Sequence, residues 1–225
     1  MKPTIVNTAD GSKTIYLKEL DEQYHSLNGA FTESAHVYIQ SGYNYCKKQN
    51  PGVLEIGFGT GLNCLLTAME AEKQKRNTIY FTIEKYPVAE KIIRQLNYGS
   101  LISPDAEKVF QKLHTCSWGK TEQVNRYFQL CKLQADITAD ALNKVQECNV
   151  AYFDAFGPDK QPEMWTMAVF GKVFEKLKPN GIFVTYSAKG VVRRQLTATG
   201  LTMERLPGPP GKKEMLRGIK PLSKL

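Results

Sequence analysis

Beyond residue 52 the chain alternates short, densely apolar runs with longer helix-like stretches. The short runs read as strands over residues 53–58 (VLEIGF), 78–84 (TIYFTIE), 127–133 (YFQLCKL), 150–156 (VAYFDAF) and 181–187 (GIFVTYS). Helices are predicted over 62–75, 88–96, 140–147 and 162–177. Strand-then-helix repetition predicts an α/β fold with a mostly parallel sheet covered by helices on both faces. The two ends break the repeat. Near the start, an Asp10-Gly11 turn separates two β-rich runs, the local signature of a hairpin, and a helix around Val37, Tyr38 and Ile39 follows, with Thr32 or Ser34 as its cap. Near the end, residues 201–207 and 214–220 flank the turn-rich GPPGKK and predict an antiparallel hairpin.

A chain of 225 residues, 42% hydrophobic, is long enough to bury one sizeable core. We expect a single domain over 1–225, with 1–50 as an N-terminal extension and 51–225 as a Rossmann-like core. No run approaches the roughly 18 apolar residues of a membrane helix, and the first residues lack the apolar stretch of a secretory signal, so a soluble, cytoplasmic protein is expected. Five scattered cysteines without a CxxC, and three distant histidines (His25, His36, His114), point to neither disulfides nor a metal site.

The sharpest chemical signal is LEIGFGTGLN, in which a strand runs into Gly57-Phe58-Gly59-Thr60-Gly61 and then a helix. Glycines there permit positive φ and close backbone approach to a ligand beyond the strand ends. The GxGxG spacing, with no Gly-Lys-Ser/Thr, excludes a nucleoside triphosphate P-loop. Together with acidic Glu55 it resembles the cofactor loop of class I methyltransferases, which bind S-adenosylmethionine. That ligand carries a sulfonium, an amino-acid head and a ribose rather than a phosphate, so carboxylates suit it. Glu84 ends the next strand, 27 residues after Gly57, where an acid accepts from ribose hydroxyls, and Asp136 follows the third strand on the adenine side. An ordinary tight turn and a surface carboxylate are the plain alternatives.

Strand four ends in AYFDAFGPDKQPEMW, which puts Asp154, Phe156 and Pro158 at the same sheet edge. Alkylamines are mostly protonated near neutral pH, so methylation of one requires a proton acceptor, and Asp154 is the candidate, with cofactor binding as its second reading. Trp165, and Tyr24 with His25, are aromatic candidates for stacking on a nucleobase, but from the residues alone Trp165 on an amphipathic helix reads rather as core, and His25 reads alternatively as a satisfied loop histidine. Charge is segregated. Residues 181–225 hold nine Lys and Arg against two acids, a net +7, while residues 1–180 carry +1. Such a segment suits a polyanion, or is simply a solvated basic tail.

YHSLNGAFTES, LEIGFGTGLN, FDAFGPDKQPEMW, TYSAKGVVRR and LPGPPGKKEMLR together resemble the methyltransferase domain of the bacterial tRNA 5-methylaminomethyl-2-thiouridine biosynthesis family. The resemblance implies S-adenosyl-L-methionine as cofactor and N-methylation of the primary amine of 5-aminomethyl(-2-thio)uridine at the tRNA wobble position. It implies Glu55, Gly57, Phe58, Gly59, Gly61, Asn63, Glu84, Asp136 and Asp154 at the cofactor and Asp154 at the reacting amine. Tyr24, His25, Ser26, Glu33 and Ser34 match a motif expected near the target base. Phe156, Pro158, Trp165, Ser187 and Lys189 would face the same crevice, and Lys212 and Lys213 would reach the backbone of the anticodon arm. Ending at Leu225, the chain resembles the stand-alone form and does not imply FAD. Residues 101–123, rich in Lys, His and Ser, depart from the family pattern and stay unassigned. Another class I methyltransferase, an aminopropyltransferase acting on a small amine, and a non-catalytic RNA-binding module are the competing readings; a polyamine site gives no reason for the basic C-terminal segment.

Overall fold

The computed structural model describes residues 3–139 and 142–222. Its elements run in order β1 (Pro3–Asn7), β2 (Lys13–Leu17), β3 (Glu22–Gln23), α1 (Ala30–Ser34) continuing as a π-helical segment (Ala35–Tyr43), β4 (Gly52–Ile56), α2 (Leu62–Gln74), β5 (Thr78–Glu84), α3 (Glu90–Ile93), α4 (Tyr98–Ile102), α5 (Pro104–Thr115), β6 (Thr121–Asn125), β7 (Phe128–Gln134), β8 (Cys148–Phe153), a 3₁₀ turn (Pro162–Met164), α6 (Met167–Lys176), β9 (Leu177–Thr185), α7 (Gly190–Ala198), β10 (Thr202–Pro207) and β11 (Glu214–Ile219). Eight strands form one sheet in the order β10-β11-β9-β8-β4-β5-β7-β6. The five central strands, β9 to β7, pair in parallel, while β6 at one edge and the β10–β11 hairpin at the other are antiparallel. Strand order reverses at β4, and in such sheets the crevice beyond the carboxyl ends at the reversal receives the ligand.

Alternate residues of the central strands fill two core layers, the reason their sequences are apolar throughout. Val53, Tyr80, Phe128, Val150, Tyr152 and Val184 pack on one side with α2, α5 and the π segment. Leu54, Ile56, Phe81, Ala151, Phe153 and Phe183 pack on the other with α6 and α7. The π segment approaches the sheet closely at Gly42, where a Cβ would lie 3.0 Å from Val184 Cγ2 and 3.1 Å from Tyr152 Cε1. That approach carries Tyr38, fully buried, to the carboxyl end of β8.

Both terminal hairpins form as the sequence predicts, and the first makes a small separate sheet, β1-β2-β3. The cap of α1 differs. Gly29 occupies the N-cap with no side-chain bond, and Thr32, inside the helix, donates its backbone N–H and hydroxyl to Asp10 Oδ2, both at 3.0 Å. The hairpin turn thus caps the helix from a distance.

The helix predicted over 140–147 is absent from residues 142–147, which form turns; Asp140 and Ala141 lie outside the described residues. Leu142 and Val145 are buried by a turn closed through Val145 N–H to Leu142 O at 3.0 Å. Nearby carbonyls are taken by α6: Lys172 Nζ donates to Ile137 O and Thr138 O, and Lys176 Nζ to Val145 O. The helix predicted over 88–96 is regular only across α3. Residues 101–123 supply parts of α4, α5 and β6, with Ser103 Oγ accepting Ala106 N–H and Pro104 opening α5, a start signal present in the sequence. The 162–177 stretch begins as a 3₁₀ turn and becomes α-helical only after Thr166 caps it.

Candidate active site

The turn after β4 holds Gly57, Gly59 and Gly61 at φ +92°, +49° and +77°, all in the left-handed region. Gly57 is also sterically bound to glycine, since a Cβ there would sit 2.7 Å from the Asp154 carbonyl oxygen. The glycine turn and the end of β8 therefore lie against each other. Gly59 N–H donates to Glu84 Oε2 at 3.0 Å, and Tyr86 N–H donates to Glu84 Oε1 at 2.8 Å. These two bonds fix the carboxylate at the end of β5 and leave further lone pairs on both oxygens.

A cavity of about 740 Å³ opens beyond these strand ends. Gly57, Phe58, Gly59, Asn63, Glu84, Asp136 and Asp154, seven of the nine residues expected at the cofactor, line it. Glu55 and Gly61 do not. Glu55 lies fully buried beneath the turn, its Oε2 accepting Thr82 Oγ1–H at 2.7 Å, and Gly61 starts α2 facing His114. Burial pushes the Glu55 carboxyl up to about 8, against hydrogen bonding from Thr82. It is therefore mostly a neutral acid near pH 7. Asp136 is held by Lys85 Nζ at 2.7 Å and by Thr138 N–H and Oγ1–H, which bring its carboxyl down to about 2.

Asp154 is gripped from two sides. Tyr38 O–H donates to Oδ1 at 2.6 Å and Asn63 Nδ2 donates to Oδ2 at 2.7 Å. Burial pushes its carboxyl up to about 6 in spite of both bonds. At pH 7 it remains largely a carboxylate, oriented and close enough to its titration point to exchange a proton. Tyr38 was not among the residues singled out from the sequence, because its position on an apolar helix face reads as core; only the π-helical geometry, frequent at functional sites, takes the hydroxyl to Asp154.

The opposite wall comes from the N-terminal extension. Tyr24, His25, Ser26 and Glu33 line the cavity, as do Phe156 and Lys212. Tyr24 packs edge-on against Phe156 with centroids 4.9 Å apart. His25 is buried, its Nε2 is 2.7 Å from Thr60 Oγ1, and burial holds its imidazole down to about 4, hence neutral at pH 7. Glu33 is buried, its Oε2 accepting Ser26 N–H at 2.9 Å while Oε1 takes the Lys212 ammonium. Lys212 also lies over the Tyr186 ring, 3.9 Å from its centroid. The expectation that Lys212 points to an RNA backbone is thus corrected: it turns inward.

Six other residues expected near the substrate do not line this cavity. Ser34 is buried inside α1, and Ser187 is buried beyond β9. Trp165 is core, 5.0 Å from the Phe153 ring, with its indole N–H donated to Phe156 O at 2.7 Å. Pro158 stands in the loop just past the lining residue Gly157. Lys189 pairs with Asp159, and Lys213 is exposed on the β10–β11 turn.

Several cations of the basic C-terminal segment likewise have partners within the chain. Besides Lys189 and Lys212, Arg205 pairs with Glu214 at 2.9 Å, Arg217 with Glu204 at 2.7 Å, and Lys220 Nζ donates to Phe174 O and Leu177 O. The segregation of charge along the chain does not become a face of nine available cations. Lys224 lies outside the described residues.

The profile of a family described as S-adenosyl-L-methionine-dependent methyltransferase matches residues 103–221. The tRNA 5-methylaminomethyl-2-thiouridine biosynthesis bifunctional protein MnmC of Leptospira borgpetersenii serovar Hardjo-bovis (strain JB197) is 30% identical over 213 residues, covering 88% of this chain and 32% of that protein. The protein of the same name from Actinobacillus pleuropneumoniae serotype 5b (strain L20) is 28% identical, covering 94% of this chain and 34% of its own length. This chain thus spans about a third of those curated relatives. Among solved structures, MNMC2 from Aquifex aeolicus superposes with a TM-score of 0.79 at 22% identity, over 96% of this chain and 69% of that one.

Proposed function

This chain belongs to the S-adenosyl-L-methionine-dependent methyltransferase family, and from that premise we propose that it N-methylates the primary amine of 5-aminomethyl(-2-thio)uridine at the wobble position of tRNA. The observation that carries the proposal is Asp154: a carboxylate held by Tyr38 and Asn63, at the wall a cavity shares with the glycine turn and with an aromatic, carboxylate-bearing wall from the N-terminal extension. The curated relatives whose names contain that modified base support the choice of acceptor.

The residues fit the family cofactor. The glycine turn carries no basic side chain, and the strand ends present Glu84, Asp136 and Asp154, a donor set suited to hydroxyls, an amine and a cation rather than to phosphate. Glu84 would receive the ribose hydroxyls on its remaining lone pairs, and Asp136 with Thr138 would stand at the adenine side. When bound, S-adenosyl-L-methionine supplies an electrophilic methyl group. Asp154 attracts the acceptor's ammonium, takes one of its protons and leaves the nitrogen lone pair free. Tyr38 and Asn63 prevent the carboxylate from rotating as it does so, and alignment supplies much of the rate. Tyr24 and Phe156 offer aromatic surfaces to a base extruded from an RNA loop, where unstacking is inexpensive.

The test is methyl transfer from labelled S-adenosyl-L-methionine, with tRNA carrying 5-aminomethyluridine, unmodified tRNA and putrescine as parallel acceptors. Label only in the aminomethyl tRNA is the expected result. Label in putrescine alone would move the reading to a small-amine enzyme.

A further inference from the structure

Among the carboxylates that line the cavity and that the mechanism above does not use, Glu33 is buried. Glu33 is 7% exposed, and in a fold that buries an acid this deeply the charge must be paired. Its partner is Lys212, which reaches in from the β10–β11 turn and rests on the Tyr186 ring. The fixed parts are Glu33 and Tyr186. Ser26 N–H anchors the Glu33 carboxylate, and Tyr186 O–H donates to Ala155 O at 2.8 Å, next to Asp154 in sequence. The lysine is the adjustable part: its side chain remains 34% exposed, against 9% for Glu33, and enters on a flexible four-carbon stem from a solvent-facing turn.

A carboxylate beside the face of a partly buried aromatic ring is a general receptor for an ammonium group. The acceptor proposed above arrives as an ammonium, in the same cavity. We propose that Glu33 and Tyr186 form the seat of the acceptor's primary ammonium, and that Lys212 is its resident placeholder. On this account, which rests on the proposed function for the identity of the acceptor, the substrate amine exchanges with Lys212 on Glu33 and is presented to Asp154. The displaced lysine swings outward with the turn that also carries Lys213. Docking of a polyanion against that turn would draw Lys212 out, so that the seat opens to an RNA-borne amine and stays filled against free amines. The placeholder keeps the Glu33 carboxylate paired between turnovers, and it makes Lys212 a selectivity residue that meets the polyanion only once displaced.

The experiment is calorimetric titration of the cofactor-free protein with ethylammonium and with the 5-aminomethyluridine nucleoside, on wild type, Lys212→Gln, Glu33→Gln and Lys213→Gln. Thermal melting of each variant verifies folding, and Lys212→Met serves in place of Lys212→Gln should the latter not fold. Emptying the seat is expected to tighten ethylammonium at least 5-fold in Lys212→Gln, to leave Lys213→Gln at the wild-type value and to abolish binding in Glu33→Gln. Equal or weaker binding in Lys212→Gln overturns the proposal. Tightened ethylammonium in a protein that fails to methylate aminomethyl tRNA would keep the seat and remove the acceptor. Methylation of that tRNA, with no tightening, would remove the seat alone.

Discussion

At the scale of single residues, buried ionisable groups set how the protein responds to pH. Glu55 titrates near 8 in the folded protein because it is buried, and near an ordinary carboxyl value when unfolded. A raised folded value means that stability is complete below the unfolded value and is lost as pH rises through the folded one. Asp154, raised to about 6, acts in the same direction at lower pH. His25 and His114, both held down to about 4 by burial, act oppositely: their contribution is present above 6.5 and is lost as pH falls toward 4. Between about 4.5 and 6 the two pairs offset one another. From 6.5 to 8 Glu55 is left unopposed, and stability should fall by about 2 kcal/mol across that interval. Denaturant melts of wild type and Glu55→Gln at pH 6.5 and 8 check this: the glutamine variant, with no proton to lose, should show little of the decline. An equal decline in both would place its origin in other groups.

At the scale of elements, the N-terminal extension builds one wall of the cavity, and its own hairpin and helix are joined through Asp10. Desolvation raises the Asp10 carboxyl, yet hydrogen bonds from Ser12, Thr32 and Thr8 bring it down to about 2. Asp10→Ala removes the remote cap of α1 and should cost about 1 kcal/mol in a denaturant melt. Its bonds reach across the hairpin–helix junction, so hydrogen exchange should quicken in α1 and β2 and not in β8; uniform exchange would deny the junction that role. The hairpins, the parallel strands and the glycine turn were legible in the sequence because each depends on local pattern or on a residue type that only one backbone conformation demands. The cap was not, because Asp10 and Thr32 meet only after folding. Nor was β6, whose TEQVN run lies at a sheet edge and lacks apolar alternation. Trp165 is core, as its place on an amphipathic helix favours, and not at the crevice where the family resemblance put it. Tyr38 was not legible as a site residue, because it is core-like in sequence while its hydroxyl bonds Asp154.

At the scale of the whole molecule, four cations of the basic C-terminal segment, Lys189, Arg205, Lys212 and Arg217, are already paired with carboxylates within the fold, which leaves the others as the stronger candidates for an RNA contact. Lys213 is exposed on the β10–β11 turn, and Lys213→Gln should lower the salt slope of tRNA affinity by roughly 0.7 to 0.9, the release expected for one phosphate contact. Arg205→Gln, which removes a cation already paired with Glu214, should leave the slope unchanged. Equal changes in the two would return the whole segment to the RNA interface.

The proposed methyl transfer depends on Asp154 as the group that receives the acceptor's proton. The most direct measurement is the single-turnover rate of methyl transfer to aminomethyl tRNA for wild type and Asp154→Asn, from pH 5 to 8, with cofactor affinity measured on the same samples. The wild-type rate should climb as pH rises through about 6, where Asp154 gains its charge. Asp154→Asn should be slower by roughly 10²- to 10⁴-fold at pH 7.5, with cofactor affinity within a few-fold of wild type. An asparagine variant that transfers methyl groups at the wild-type rate would remove Asp154 from the chemistry.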